Sequence, residues 1–123
     1  MAWDFTTDRP IYLQLIEQIE IGIVAGVYKP GEKLLSVREL AAEAAVNPNT
    51  MQKALSELEQ KGLVFSQRTS GRFVTEDEGL IKVEKDRLAL NQIKDFVQKM
   101  QVLGFDIKET ISLMQNIKGD ELK

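Results

Sequence analysis

Val46-Asn47-Pro48-Asn49-Thr50-Met51-Gln52-Lys53-Ala54-Leu55 reads as a turn running into a helix with two unlike faces. Asn47 can accept a hydrogen bond from the free N–H groups of a first helical turn, and Pro48 sits where a missing N–H costs nothing. Met51, Ala54, Leu55 and Leu58 then recur three or four apart as an apolar stripe, while Asn49, Gln52, Lys53 and Ser56 fall on the other side. That second face is polar but carries little charge. Asn and Gln present donor and acceptor together, which suits a base edge in the major groove, and a lysine suits phosphate. Taken alone, the same face is also that of an ordinary solvated helix, so its neighbours decide between the two readings.

Upstream, Pro30-Gly31 marks a turn, and Ser36-Val37-Arg38-Glu39 has the form of a capping box in which Ser36 caps a helix and Glu39 reaches back. This predicts a short second helix over about Val37 to Ala44, with Val37, Leu40 and Ala41 inward and a brief turn at Ala45-Val46. Two short helices joined by about three residues form a helix-turn-helix unit. Arg38, in the first turn, would point the same way as the polar face of the third helix. Further back, Tyr12, Leu15, Ile16, Ile19 and Ile23 predict a first helix, entered after Asp8 and Pro10 and stopped at Gly26. Trp3 and Phe5, alternating with Asp4, suggest a small strand before it.

Downstream, Lys61 and Gly62 should end the third helix, and the period then changes. Leu63 to Gln67 and Arg72 to Thr75 read as two strands around Arg68-Thr69-Ser70-Gly71, a hairpin with a basic tip. A hairpin directly after a helix-turn-helix is the layout of a winged helix. Arg68 and Arg72 would then approach phosphate or the minor groove, or else simply keep an exposed hairpin soluble. The acidic run Glu76-Asp77-Glu78 before Gly79 marks a boundary. Adjacent carboxylates diverge and no second ligand cluster accompanies them, so no metal site is expected.

Beyond Gly79, Leu80, Ile81, Leu88, Ile93, Phe96, Val97, Met100 and Leu103 support one long helix closed by Gly104. Asp106 and Glu109 form another capping box, opening a helix with Ile107, Ile111, Met114 and Ile117 on one side. Such a helical hairpin cannot enclose a core, so its apolar faces need another surface. A second copy is favoured over a ligand cleft because a two-fold symmetric operator needs a symmetric dimer. The expected architecture is mainly α with a small β-hairpin: a winged helix-turn-helix over residues 1–75, a linker at 76–79 and a helical dimerisation segment over 80–123.

Composition narrows the function. The chain has 123 residues, 43% hydrophobic and 28% charged, which is ordinary for a soluble globular protein. Sixteen basic and nineteen acidic residues leave a charge of -3, so DNA binding would need a local basic surface. Cysteine and histidine are both absent, which removes disulfides, thiol chemistry, serine and cysteine triads and His-ligated zinc. Met1 to Thr7 has no signal-peptide character and no apolar run approaches a membrane span, so a cytoplasmic location and no membrane partner are expected.

The run from Gly26 to Ala41, the Val46-Asn47-Pro48-Asn49-Thr50 entry and Gly71-Arg72-Phe73-Val74 together resemble the GntR family of bacterial transcription regulators, and its small YtrA-like branch in particular. The resemblance spans roughly Ile11 to Val74. It implies DNA-binding roles for Arg38, Asn47, Pro48, Asn49, Thr50 and Gln52, a backbone contact for Lys53 and a place at the wing tip for Gly71, beside the Arg68 and Arg72 read above. It also implies homodimerisation, here through Leu88, Ile93, Phe96, Val97, Met100, Leu103, Ile111 and Met114, and repression of an operon that includes a transporter. Leu35 stands where the family usually has proline. Thr69 and Arg72 replace the usual glycine and threonine of the wing. The expected partner is a palindromic double-stranded operator, with no cofactor. No residue names a small-molecule effector, and any such ligand would act by changing the angle between the two wings. The competing readings are a winged-helix module that binds protein without DNA and, more weakly, an enzyme built on a carboxylate pair that the sequence does not display.

Overall fold

The computed structural model describes residues 2–122; Met1 and Lys123, at the ends of the two expected segments, lie outside them. Its elements are α1 (Ile11–Val24), α2 (Val37–Ala44), α3 (Pro48–Gln60), β1 (Val64–Gln67), β2 (Gly71–Val74), α4 (Glu78–Val102) and α5 (Ile107–Gln115), with a final 3-10 turn at Gly119–Leu122. The chain divides into two compact units, one up to Lys85 and one from Asp86, so the division falls within α4.

The first unit is organised around α3. Met51, Ala54, Leu55 and Leu58 are all fully buried, packed with Leu15, Ile16, Ile19 and Ile23 of α1 and Leu40, Ala41 and Ala44 of α2. Each of the larger side chains contributes about 1.5–3 kcal/mol by leaving water. The sequence signals at the starts of α2 and α3 operate as expected, whereas α1 is entered at Pro10 with no side-chain cap. Ser36 accepts from the Glu39 amide at 3.2 Å while the Glu39 carboxylate accepts from the Ser36 amide at 3.1 Å, and Asn47 Oδ1 accepts from the Asn49 amide at 2.7 Å. Between α2 and α3, Ala45 takes the left-handed conformation at φ 57°, which lets the chain turn without a glycine.

Three expectations are revised. The stretch containing Trp3 and Phe5 is not a strand, because two glutamines of α1 take the place of a neighbouring strand. Gln18 Nε2 donates to the Asp4 carbonyl at 2.6 Å, and Gln14 both donates to the Thr6 carbonyl and accepts from its amide. The stretch instead lies as an arm, with Trp3 stacked on Phe5 and its indole N–H donating to Glu43 of α2. Gly71 belongs to β2 rather than to the hairpin tip, pairing with Gln67, and Phe65 stacks on its register partner Phe73. Finally, α4 begins at Glu78, so the last two residues of the expected linker are already helical. Asp77 accepts from the Leu80 amide at 3.0 Å, and its own amide donates to the Thr75 hydroxyl. The acidic run is therefore the negative start of a helix, where carboxylates meet the free N–H groups.

The hairpin also has a third edge that the periodicity did not reveal. Lys33 forms an isolated antiparallel bridge with Phe73, with the Leu34 amide bonded to the Arg72 carbonyl and the Val74 amide to the Glu32 carbonyl. This ties the approach to α2 against β2.

In the second unit, α4 turns at Gly104 (φ 94°) into α5, which is capped by Asp106 and Glu109 as expected. Almost nothing here is buried. Ile93, Phe96, Leu103, Ile111 and Met114 are exposed, as are Leu90, Ile107, Leu113 and Ile117, while Leu88, Val97 and Met100 are half-buried.

Candidate nucleic-acid interface

The exposed side of α3 carries Asn49, Gln52 and Lys53, three and four residues apart on one face, above a stripe that is wholly buried. Because the buried stripe fixes the helix rotation, the polar side chains are aimed by the core. Pro48, at the first helical position, is exposed, and Thr50 is half-buried on the flank. Asn47 is exposed and uses its side-chain oxygen for capping. Gln52 Nε2 donates to Ser56 Oγ at 3.2 Å, so its carbonyl oxygen stays available. The Lys53 ammonium lies over the Tyr12 ring of α1, 3.7 Å from the centroid.

Arg38 is exposed in the first turn of α2. The carboxyl of its neighbour Glu39 is held below the usual range by the Ser36 amide and hydroxyl, so the capping box stays charged and closed.

At the wing, Arg68 stands exposed in the turn, where the Ser70 amide closes onto the Gln67 carbonyl. Gly71 adopts φ 111°, and a Cβ there would lie 3.2 Å from Lys33 Cε. Glycine is thus favoured by the backbone conformation, while the lysine end would need to shift by only a few tenths of an ångström to admit a Cβ. Arg72 is turned inward: its Nε donates to Glu59 of α3, and Ser66 of β1 donates to the same carboxylate oxygen at 2.7 Å. The Arg72 guanidinium, followed by the Ser66 hydroxyl, holds the Glu59 carboxyl below its ordinary value. Lys33, Leu35, Ser36 and Glu39 on one side and Thr69, Ser70, Gly71 and Arg72 on the other line a groove of about 570 Å³ between the start of α2 and the wing.

The structure therefore brings Gly71 and Arg72 together with the α2 entry, and Asn49, Gln52 and Lys53 together on α3. Three residues touch the candidate interface residues that the sequence pattern did not place beside them. Lys33 has no signal, since its bridge to Phe73 is long-range. Tyr12 reads in the sequence only as part of the α1 core stripe, and nothing in the local pattern singles out Glu59, whose partners lie seven and thirteen positions away.

A family model described as bacterial regulatory proteins, gntR family, matches residues 11–74. The HTH-type transcriptional repressor YtrA of Bacillus subtilis is 34% identical over 118 residues, covering 95% of this chain and 91% of its own length. A GntR family transcriptional regulator from Listeria monocytogenes has a solved structure that superposes with a TM-score of 0.84 at 36% identity, covering 93% of this chain and 100% of that one. A crystal structure of the AraR DNA-binding domain in complex with operator ORX1 matches with a TM-score of 0.56 at 29% identity, over 61% of this chain and 96% of that one.

Proposed function

The chain belongs to the gntR family of bacterial regulatory proteins, and from that premise we propose that it is a homodimeric repressor that reads a two-fold symmetric operator with α3. Its relatives are transcription regulators rather than enzymes. The observation that carries the reading is the exposed face of Asn49, Gln52 and Lys53 on a helix whose other face is completely buried. In this reading the winged helix-turn-helix is the DNA-reading part and the C-terminal helices are the dimerisation part.

Asn49 and Gln52 reach base edges in the major groove, where an amide presents a donor and an acceptor to adenine. Arg38 contacts a guanine or a nearby phosphate, Lys53 and Arg68 hold phosphates, and Arg72 with Gly71 sets the wing. The two copies of α3 occupy successive major grooves about 34 Å apart, one helical turn of DNA. The dimer is supported by the second unit, which leaves Ile93, Phe96, Leu103, Ile111 and Met114 uncovered. Repression is supported by the YtrA relative, an HTH-type transcriptional repressor.

Gln52→Ala is expected to cost about 1–3 kcal/mol on the cognate site and to relax base preference there. Lys53→Ala is expected to weaken cognate and random duplexes alike and to flatten the salt dependence by about one contact per protomer. Salt titrations in which both variants bind as the parent does would overturn this assignment of α3.

A further inference from the structure

Lys53 is an exposed lysine with a neighbour that an ordinary solvated lysine lacks. Its ammonium sits 3.7 Å from the centroid of the Tyr12 ring, well inside the distance at which a cation is attracted to the negative face of an aromatic ring. Tyr12 lies at the edge of the α1 apolar stripe, half-buried and packed on the core, whereas Leu15, Ile16, Ile19 and Ile23 of the same stripe are buried. An aliphatic residue would cover the core at that edge equally well; a ring also offers a face to a cation.

We propose that Tyr12 is a positioning residue for DNA binding: its ring fixes the Lys53 ammonium beside α1, so that α1 as well as the helix-turn-helix sets where a backbone phosphate is held. This rests on the reading of α3 as the DNA-contacting helix. A free lysine loses several rotatable bonds when it grips a phosphate, and one already docked on a ring loses fewer. Docking leaves the donors usable, because the ring face engages the ammonium electrostatically while N–H groups pointing away from the ring remain free for phosphate oxygens. The arrangement parallels that of Gln52, which is steadied by Ser56. Two successive polar residues of α3 are thus each held by one partner.

The test is a double-mutant cycle on the full chain with Tyr12→Leu, Lys53→Gln and the double variant. Binding is measured over a salt series to a labelled duplex recovered by selection with the parent protein and to a random duplex. Lys53→Gln lowers the salt slope by about one per protomer. Tyr12→Leu weakens binding by about three- to tenfold, the range set by the ordering cost of one long side chain that the docked lysine no longer has to meet, while in the Lys53→Gln background it changes binding less than about twofold. Tyr12→Phe, which keeps the ring, binds as the parent does. Equal costs of Tyr12→Leu in both backgrounds would show that Tyr12 acts only through the core and would overturn the proposal, as would tighter binding by Tyr12→Leu. If Tyr12→Leu does not fold, progressively fluorinated phenylalanines at position 12 keep the shape and drain the ring face. Affinity falling with each fluorine supports the proposal, and unchanged affinity overturns it. A parent protein that binds neither duplex at low salt overturns the DNA reading itself, whereas a parent that binds with additive variants overturns only the role of Tyr12.

Discussion

Replacing Glu59 with alanine removes the contact that braces the wing to α3. Glu59 receives the Arg72 Nε and the Ser66 hydroxyl, with the Arg72 side chain a fifth exposed and that of Glu59 about a third. A hydrogen bond to a charged partner contributes about 1.5–3 kcal/mol when well sheltered. An exposed pair contributes less than about 1 kcal/mol. Intermediate exposure places Glu59→Ala at about 1–2 kcal/mol, which lowers the urea midpoint by about 1 M for a chain of this size. Far-UV circular dichroism and Trp3 fluorescence follow the transition. The sign with pH is also determined. The Glu59 carboxyl is depressed in the fold, so its contribution is complete above the ordinary carboxylate range and disappears as pH falls through the lowered value. The difference between parent and variant therefore closes in acid. On DNA, an unbraced wing must be ordered again on binding, a cost of about 1 kcal/mol or fivefold in affinity with the salt slope unchanged. An unshifted midpoint would refute the brace. Tighter binding with a steeper salt slope would refute it differently, by showing that Glu59 masks Arg72 from phosphate.

Two further outcomes follow from particular residues. Glu20 of α1 is buried; burial first, then a hydrogen bond with Glu84, pushes its carboxyl from 4.5 up to about 7 against the opposing pull of Lys61 at 3.1 Å. A raised acid contributes stability below its unfolded value and loses it as pH rises, so the parent loses up to about 1.4 kcal/mol per pH unit between those values relative to Glu20→Gln; parallel stability curves for the two proteins would contradict this. Phe96→Glu puts a carboxylate on the uncovered face of α4 and is expected to weaken self-association by at least about 30-fold, the loss of a central apolar contact, with sedimentation equilibrium giving a monomer; an unchanged dimer would place the interface elsewhere.

Much of the first unit was legible because its helix boundaries rest on local chemistry. The Ser36 and Glu39 capping box, the Asn47-Pro48 entry and the glycines after α1 and α3 each act within a few residues, and the apolar spacing of α3 identifies the buried side of that helix without knowledge of its neighbours. What escaped depends on long-range partners. Alternation over Trp3 to Phe5 fits a strand, but Gln14 and Gln18 satisfy that backbone from α1. The inward turn of Arg72 depends on Glu59, thirteen positions away, and the docking of Lys53 depends on Tyr12 on another helix. The acidic run at 76–78 looked like a boundary because its charge was visible while its capping geometry was not.

The central claim is that two copies of α3 read DNA as a symmetric pair, and selection of bound duplexes from a random pool by the full chain tests it most directly. The account predicts an enriched two-fold symmetric site whose half-sites are about 10 base pairs apart from centre to centre, with enrichment relaxed at matching positions of both half-sites for Gln52→Ala. A pool that stays random at low salt, or an enriched site without two-fold symmetry, would contradict it.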